Sequence, residues 1–97
     1  MRTRQVILET LKAFKEEATS KYGVTTLGLF GSVARNQQRE DSDVDVCFDA
    51  VSPTLMTIAK MEIELEKRIG SPVQLTMLHN GLPKSFLNNI NRDVIYV

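Results

Sequence analysis

Cysteine is nearly absent from this sequence of 97 residues, and so is any long apolar run. A single cysteine excludes a disulfide within the chain and is ordinary for a protein of the cytoplasm. No segment approaches the roughly 20 consecutive apolar residues that a membrane-spanning helix needs. The first residues also lack the apolar stretch of a signal peptide. These absences predict a soluble, cytoplasmic protein.

An excess of either charge is absent as well, because twelve basic residues balance twelve acidic ones. Broad binding to nucleic acid depends on many contacts between phosphates and Lys or Arg, so this balance argues against it. A small local site for an anion stays open. A chain of this length can build one modest hydrophobic core, so we predict a single domain over residues 1–97.

The apolar pattern predicts helices and strands in alternation. Residues 3–22 carry an apolar stripe at helical spacing, and Ser52-Pro53 is expected to begin a long helix that Gly70 ends. Strands are predicted at Val24–Phe30, Asp43–Asp49, Pro72–Leu78 and Asp93–Val97, and short helices at Val33–Gln38 and Pro83–Asn89. This order predicts an α/β (α+β) fold, a mixed sheet backed by helices, with the first two strands antiparallel.

One stretch, Leu27 to Asp49, holds most of the residues that could carry chemistry. An apolar run ends at Gly31-Ser32, and Asp43-Val44-Asp45-Val46 follows after ten residues. Alternation along a strand directs the two carboxylates to the same face, where they repel each other unless a cation lies between them. Mg²⁺ binds carboxylates together with phosphate oxygens, and a Gly-Ser turn offers backbone N–H groups to an anion. The stretch therefore predicts a site for a metal-bound nucleoside triphosphate.

Simpler interpretations of the same residues stay open. Asp43 and Asp45 could be solvent-facing residues of an edge strand, and Gly31-Ser32 an ordinary turn. Arg35 could be a solvated arginine on a short helix. Cys47 alternates with apolar neighbours and has no base beside it, so we interpret it as a buried structural thiol.

The combined motif resembles the nucleotidyltransferase superfamily of DNA polymerase beta, and within it the minimal nucleotidyltransferases. Phe30-Gly31-Ser32 followed by Asp43-Val44-Asp45-Val46 meets every position of the family pattern. Arg35 and Ser42 match residues that many minimal members carry, and the closing segment INRDVIYV is similar to theirs. The resemblance spans nearly the whole chain.

This resemblance implies an activity and a set of site residues. Asp43 and Asp45 would be catalytic and would hold two divalent cations, Mg²⁺ or Mn²⁺. The nucleotide, ATP or another nucleoside triphosphate, would be bound by Gly31, Ser32, Arg35 and Ser42. A nucleoside monophosphate, AMP in the first instance, would move to a hydroxyl of a protein or small molecule. Minimal members are paired with a helical HEPN protein in toxin–antitoxin modules, so the resemblance implies such a partner and leaves self-association open.

One residue departs from the family pattern. Active members carry a third carboxylate on a later strand, and the matching position here is Gln74. An amide oxygen can bind a metal, but it is a poor base and does not offset the metal's charge. Two functions therefore stay open: a working nucleotidyltransferase, or a degenerate nucleotidyltransferase-like module that acts by contact with a partner protein.

Overall fold

The computed structural model describes residues 1–79 and 81–97. Helices and strands alternate along the described chain in the predicted order. The elements are α1 (Arg4–Tyr22), β1 (Val24–Phe30), α2 (Gly31–Ala34), β2 (Val44–Ala50), α3 (Leu55–Ile69), β3 (Val73–Met77), α4 (Lys84–Asp93) and β4 (Ile95–Tyr96). Within the described ranges, no helix is long and apolar enough to cross a bilayer.

The strands form a four-stranded mixed sheet in the order β3-β2-β1-β4. Strand β1 runs antiparallel to β2 and β4, whereas β2 and β3 are parallel. Only the short helix α2 and a polar loop separate β1 from β2, so the chain turns back beside the strand it has just left. The parallel pair needs a longer crossover, which α3 provides. The predicted mixed sheet and its antiparallel first pair are confirmed.

One face of the sheet is covered by α1 and α3. In the register, alternate residues of β1, β2 and β3 lie side by side, so their side chains point to the face that the helices cover. These side chains are apolar and fully or almost fully buried: Leu27, Leu29, Val44, Val46, Phe48 and Val73. The helices contribute Ile7, Leu11, Phe14, Ala18, Met61, Leu65 and Ile69 to the same core. Polar functional residues are therefore left to the opposite face.

The predicted ends of α1 and the predicted C-terminal end of α3 are confirmed. The Thr3 hydroxyl accepts a hydrogen bond from the backbone N–H of Val6 at the start of α1. Gly23 and Gly70 end α1 and α3 in the left-handed conformation. The predicted start of α3 at Ser52 was wrong. Ser52 has a φ of 46° in the turn after β2, which is not a cap conformation, and Thr54 is the N-cap instead.

Other boundaries differ from the prediction in ways that matter for the site. Helix α2 begins at Gly31, directly after β1, and ends before Asn36, whose φ of 59° stops the helix. Strand β2 begins at Val44, so Asp43 precedes the strand rather than belonging to it. Helix α4 is longer than predicted and includes Asp93, which the sequence assigned to the last strand.

Candidate functional site

The partly open face of the sheet brings Asp45 beside Gln74. In the register, Asp45 of β2 pairs with Phe30 of β1 on one side and with Gln74 of β3 on the other. Residues that pair across a sheet direct their side chains to the same face. Asp45 is half-buried, whereas Gln74 and Asp43 are exposed. The position predicted to hold a third carboxylate is therefore next to Asp45, and a neutral amide stands there.

The Gly31-Ser32 turn lies against the Asp45 carboxylate. Gly31 has a φ of 76°, in the left-handed region that favours glycine. A Cβ added at Gly31 would collide with Oδ2 of Asp45 and would lie 3.1 Å from its Cγ. The absence of a side chain thus lets backbone and carboxylate meet. Ser32 follows in the first turn of α2, half-buried at the same end of β1.

The carboxylates of Asp43 and Asp45 repel each other when no cation is bound. Burial raises the pKa of Asp45, the nearby charge of Asp43 raises it further, and Arg35 opposes both effects. A hard divalent cation would relieve this repulsion, and oxygen donors are the ligands that Mg²⁺ and Mn²⁺ take. The donor set therefore fits a divalent cation that also binds phosphate oxygens.

The donor set is small. Across residues 1–79 and 81–97, no group of three or more His, Cys, Asp or Glu side chains lies close enough together to hold a metal ion. The predicted site has two carboxylates, Asp43 and Asp45, and Gln74 pairs with Asp45 on the neighbouring strand. A nucleotide would have to complete the coordination of the cation with its own oxygens.

Two side chains, Asp93 and Gln37, hold the Arg35 guanidinium in place, and neither belongs to the predicted site. Its Nη1 donates to Oδ2 of Asp93 at 2.7 Å, and its Nε donates to Oε1 of Gln37 at 3.1 Å. The Asp93 side chain is 11% exposed, and the Arg35 hydrogen bond is the main cause that lowers the pKa of its carboxyl. Asp93 belongs to the closing segment INRDVIYV, but a contact across 58 positions of the chain has no local sequence signal.

Ser42 and Cys47 have evident structural roles. The Ser42 hydroxyl accepts a hydrogen bond from the backbone N–H of Arg39 at 2.8 Å, which shapes the loop before β2. Its predicted contact with nucleotide stays a prediction. Cys47 is buried, and burial raises the pKa of its thiol to about 11, so it is protonated at neutral pH. The interpretation of Cys47 as a structural thiol agrees with this environment.

The fold and the site define a domain of the nucleotidyltransferase type: a mixed sheet in which a Gly-Ser turn packs on a strand-borne carboxylate. Comparison with known proteins gives the family. The family described as "Polymerase beta, Nucleotidyltransferase" matches residues 12–97. This chain belongs to the polymerase beta nucleotidyltransferase family.

Individual relatives are similar over the full chain. Protein adenylyltransferase MntA of Thermococcus cleftensis is 38% identical over 101 aligned positions, which cover 100% of this chain and 98% of the relative. A solved structure described as a minimal nucleotidyltransferase is 33% identical, with a TM-score of 0.72 over 91% of this chain and 93% of that chain. The resemblance to minimal nucleotidyltransferases is thereby confirmed.

A more distant structural neighbour comes from a complex. It is a chain from the structure of the tri-AMPylated HEPN toxin of Shewanella oneidensis bound to its MNT antitoxin. The identity is 13% and the TM-score 0.66, over 93% of this chain and 70% of that chain. At this identity the likeness concerns the fold.

Proposed function

We propose that this protein transfers AMP from ATP to a hydroxyl group of a partner protein, with a divalent cation bound at Asp43 and Asp45. The observation that carries the proposal is the packing of the Gly31 backbone on the Asp45 carboxylate. That contact joins the two halves of the motif, which are ten residues apart, in one site. The adenylyltransferase relative supports AMP as the transferred group.

Each residue has a distinct task in this proposal. Asp43 and Asp45 hold the cation, which when bound supplies charge neutralisation at the phosphates and lowers the pKa of the acceptor hydroxyl. The backbone at Gly31 approaches the phosphates closely because no side chain intervenes. The Ser32 hydroxyl donates to a phosphate oxygen, and Arg35 offers its guanidinium to the phosphates.

The transfer forms one bond and breaks another. The acceptor oxygen bonds to the α-phosphorus of ATP, and the bond from that phosphorus to the oxygen bridging toward the β-phosphate breaks. Pyrophosphate leaves with the electron pair. The proton of the acceptor hydroxyl passes to solvent water, since the Gln74 amide beside Asp45 cannot accept it at neutral pH. Catalysis is thus mainly positioning and charge stabilisation.

The partner in this proposal is a HEPN-type toxin, and the protein acts as its antitoxin. The structural neighbour from the Shewanella complex supports this pairing, because an AMP-modified HEPN toxin and an MNT antitoxin occur together there. The proposal extends the pairing to this chain through the shared fold and the site residues.

A second function is favoured by one observation. Gln74, rather than a carboxylate, is paired with Asp45 across β2 and β3. A site that lacks a third acid binds its cation less tightly and has no base for the acceptor hydroxyl. The protein would then inhibit its partner by contact alone, with or without bound nucleotide.

Adenylylation of the partner tests the first function against the second. The purified protein is incubated with ATP labelled at the α-phosphate, Mg²⁺ and a purified HEPN-type toxin. We expect the label on the partner, none when the γ-phosphate carries the label, and loss of labelling in Asp45→Asn. Asp49→Asn is the matched control, since it removes an exposed carboxylate from the same strand outside the site. Inhibition of the partner without any label would support action by contact.

A further inference from the structure

We propose that Arg92 binds phosphate alongside Arg35, and that the cleft between α2 and α4 receives the distal phosphates of the nucleoside triphosphate. This inference rests on the proposed function, because it assigns the part of the same site that holds the nucleotide's terminal groups. Arg92 lies near the end of α4, within the closing segment INRDVIYV, and neither Phe30-Gly31-Ser32 nor Asp43-Val44-Asp45-Val46 includes it.

The cleft lies next to the Gly31-Ser32 turn. Its volume is about 310 Å³, and Gly31 is one of its lining residues. The same Gly31 backbone packs on Asp45, so one residue borders both the carboxylates and the cleft. A triphosphate whose α-phosphate lies at Asp45 can therefore extend past Gly31 and place its β- and γ-phosphates in the cleft.

The lining of the cleft has more positive than negative charge. Its charged residues are Arg35, Arg92 and Asp93. Asp93 lies between the two guanidiniums, with Oδ2 at 2.7 Å from Nη1 of Arg35 and Oδ1 at 3.5 Å from Nε of Arg92. Two cations share one carboxylate, which leaves the lining with a net positive charge. An anionic ligand such as a phosphate group would balance this positive charge.

Arg92 is the more available of the two guanidiniums. Arg35 already donates to both Asp93 and Gln37, and its side chain is 39% exposed. Arg92 contacts Asp93 through Nε, and its side chain is 66% exposed. The planar fork of an arginine can then donate two parallel hydrogen bonds to phosphate oxygens.

The rest of the cleft strengthens this interaction. Phe30 and Phe86 form part of its wall, with ring centroids 6.3 Å apart and an edge-to-face angle of 79°. Apolar walls lower the local dielectric constant, so a charge-assisted hydrogen bond is stronger there than in open water. Asn89 adds an amide that can donate to a phosphate oxygen.

Calorimetric titration with Mg²⁺ and either ATP or AMP tests the assignment. Arg92→Gln is compared with Lys84→Gln, which removes one positive charge from the same helix at a residue outside the cleft lining. We expect Arg92→Gln to weaken ATP binding by about tenfold, and Lys84→Gln to leave it unchanged. Binding of AMP, which has no distal phosphates, should be the same in all three proteins.

Three outcomes separate the inference from the function on which it rests. Equal ATP affinity in Arg92→Gln and the unsubstituted protein would overturn the role of Arg92 and leave the proposed function standing. An equal loss for ATP and AMP would also overturn it, because distal phosphates would not be what Arg92 binds. Failure of the unsubstituted protein to bind ATP at all would overturn the proposed function together with this inference. Arg92→Lys keeps the positive charge and loses the planar guanidinium. Its ATP affinity should lie between those of the unsubstituted protein and Arg92→Gln, and it serves as a control for a folding defect in Arg92→Gln.

Discussion

Replacing Gly31 with alanine tests the contact that joins the two halves of the site. The substitution forces a residue with a Cβ into a φ of 76°, which costs about 1 kcal/mol. It also drives that Cβ into the Asp45 carboxylate, and overpacking of this kind costs about 1–3 kcal/mol. We therefore expect Gly31→Ala to lose about 3 kcal/mol of unfolding free energy and to melt roughly 15 °C lower.

Gly70→Ala is the matched control for backbone strain. Gly70 has a φ of 77°, but a Cβ there would meet nothing nearer than Nε of Arg2 at 3.9 Å. Urea unfolding should show a loss of about 1 kcal/mol for Gly70→Ala, from the left-handed conformation alone. The excess cost at Gly31 then measures the collision with Asp45.

A double-mutant cycle identifies the group that collides. In an Asp45→Ala background the carboxylate is gone, so Gly31→Ala should cost about 1–2 kcal/mol less than it does in the unsubstituted protein. If Gly31→Ala costs no more than Gly70→Ala, or if removal of the carboxylate leaves its cost unchanged, the added Cβ does not collide with Asp45.

Four further substitutions test the electrostatics of the site and the start of α3, which the sequence misplaced. The raised pKa of Asp45 means that the folded state holds its proton more tightly than the unfolded state, so stability falls as pH rises above the ordinary value of 3.8. Asp45→Asn should therefore melt above the unsubstituted protein at pH 7 without metal, and the difference should vanish in acid below that value. Gln74→Asp should bind Mn²⁺ more tightly in calorimetry. Without metal its melting temperature should be lower, since two carboxylates then face each other across β2 and β3. Equal Mn²⁺ affinity would show that position 74 does not reach the cation. Thr54→Ala removes the N-cap of α3 and should lower the free energy of unfolding in urea by about 1 kcal/mol. Ser52→Gly, which relieves a φ of 46°, should not lower it. A larger loss for Ser52→Gly would show that Ser52 is the N-cap.

The sequence predicts the elements of this fold well because their signals are local. The apolar stripe of α1 and its ends at Thr3 and Gly23 lie within one segment, and the structure has them where they were expected. The resemblance to the family placed Gln74 at the position of the third carboxylate, and in the structure Gln74 pairs with Asp45. The prediction of an antiparallel first pair needed only the shortness of the connection.

The wrong predictions concern residues whose structure depends on contacts with distant parts of the chain. Ser52-Pro53 has the composition of a helix start. The backbone N–H of Val51, however, donates to the carbonyl oxygen of Gly23 just before β1, and the helix begins later, with Thr54 as its N-cap. Asp93 was assigned to a strand, and its bond to Arg35 depends on how α4 packs beside α2. The periodicity of apolar residues does not indicate such a contact. The cleft that Arg35 and Asp93 line therefore could not be predicted from the sequence.

The assignment of the carboxylate pair is tested most directly by a calorimetric titration of the protein with ATP, with and without Mg²⁺. We expect binding that requires Mg²⁺, that is lost in Asp43→Asn, and that is retained in the control Asp49→Asn. Binding of equal strength without Mg²⁺, or in Asp43→Asn, would contradict the assignment of the carboxylate pair as a site for a metal-bound nucleotide.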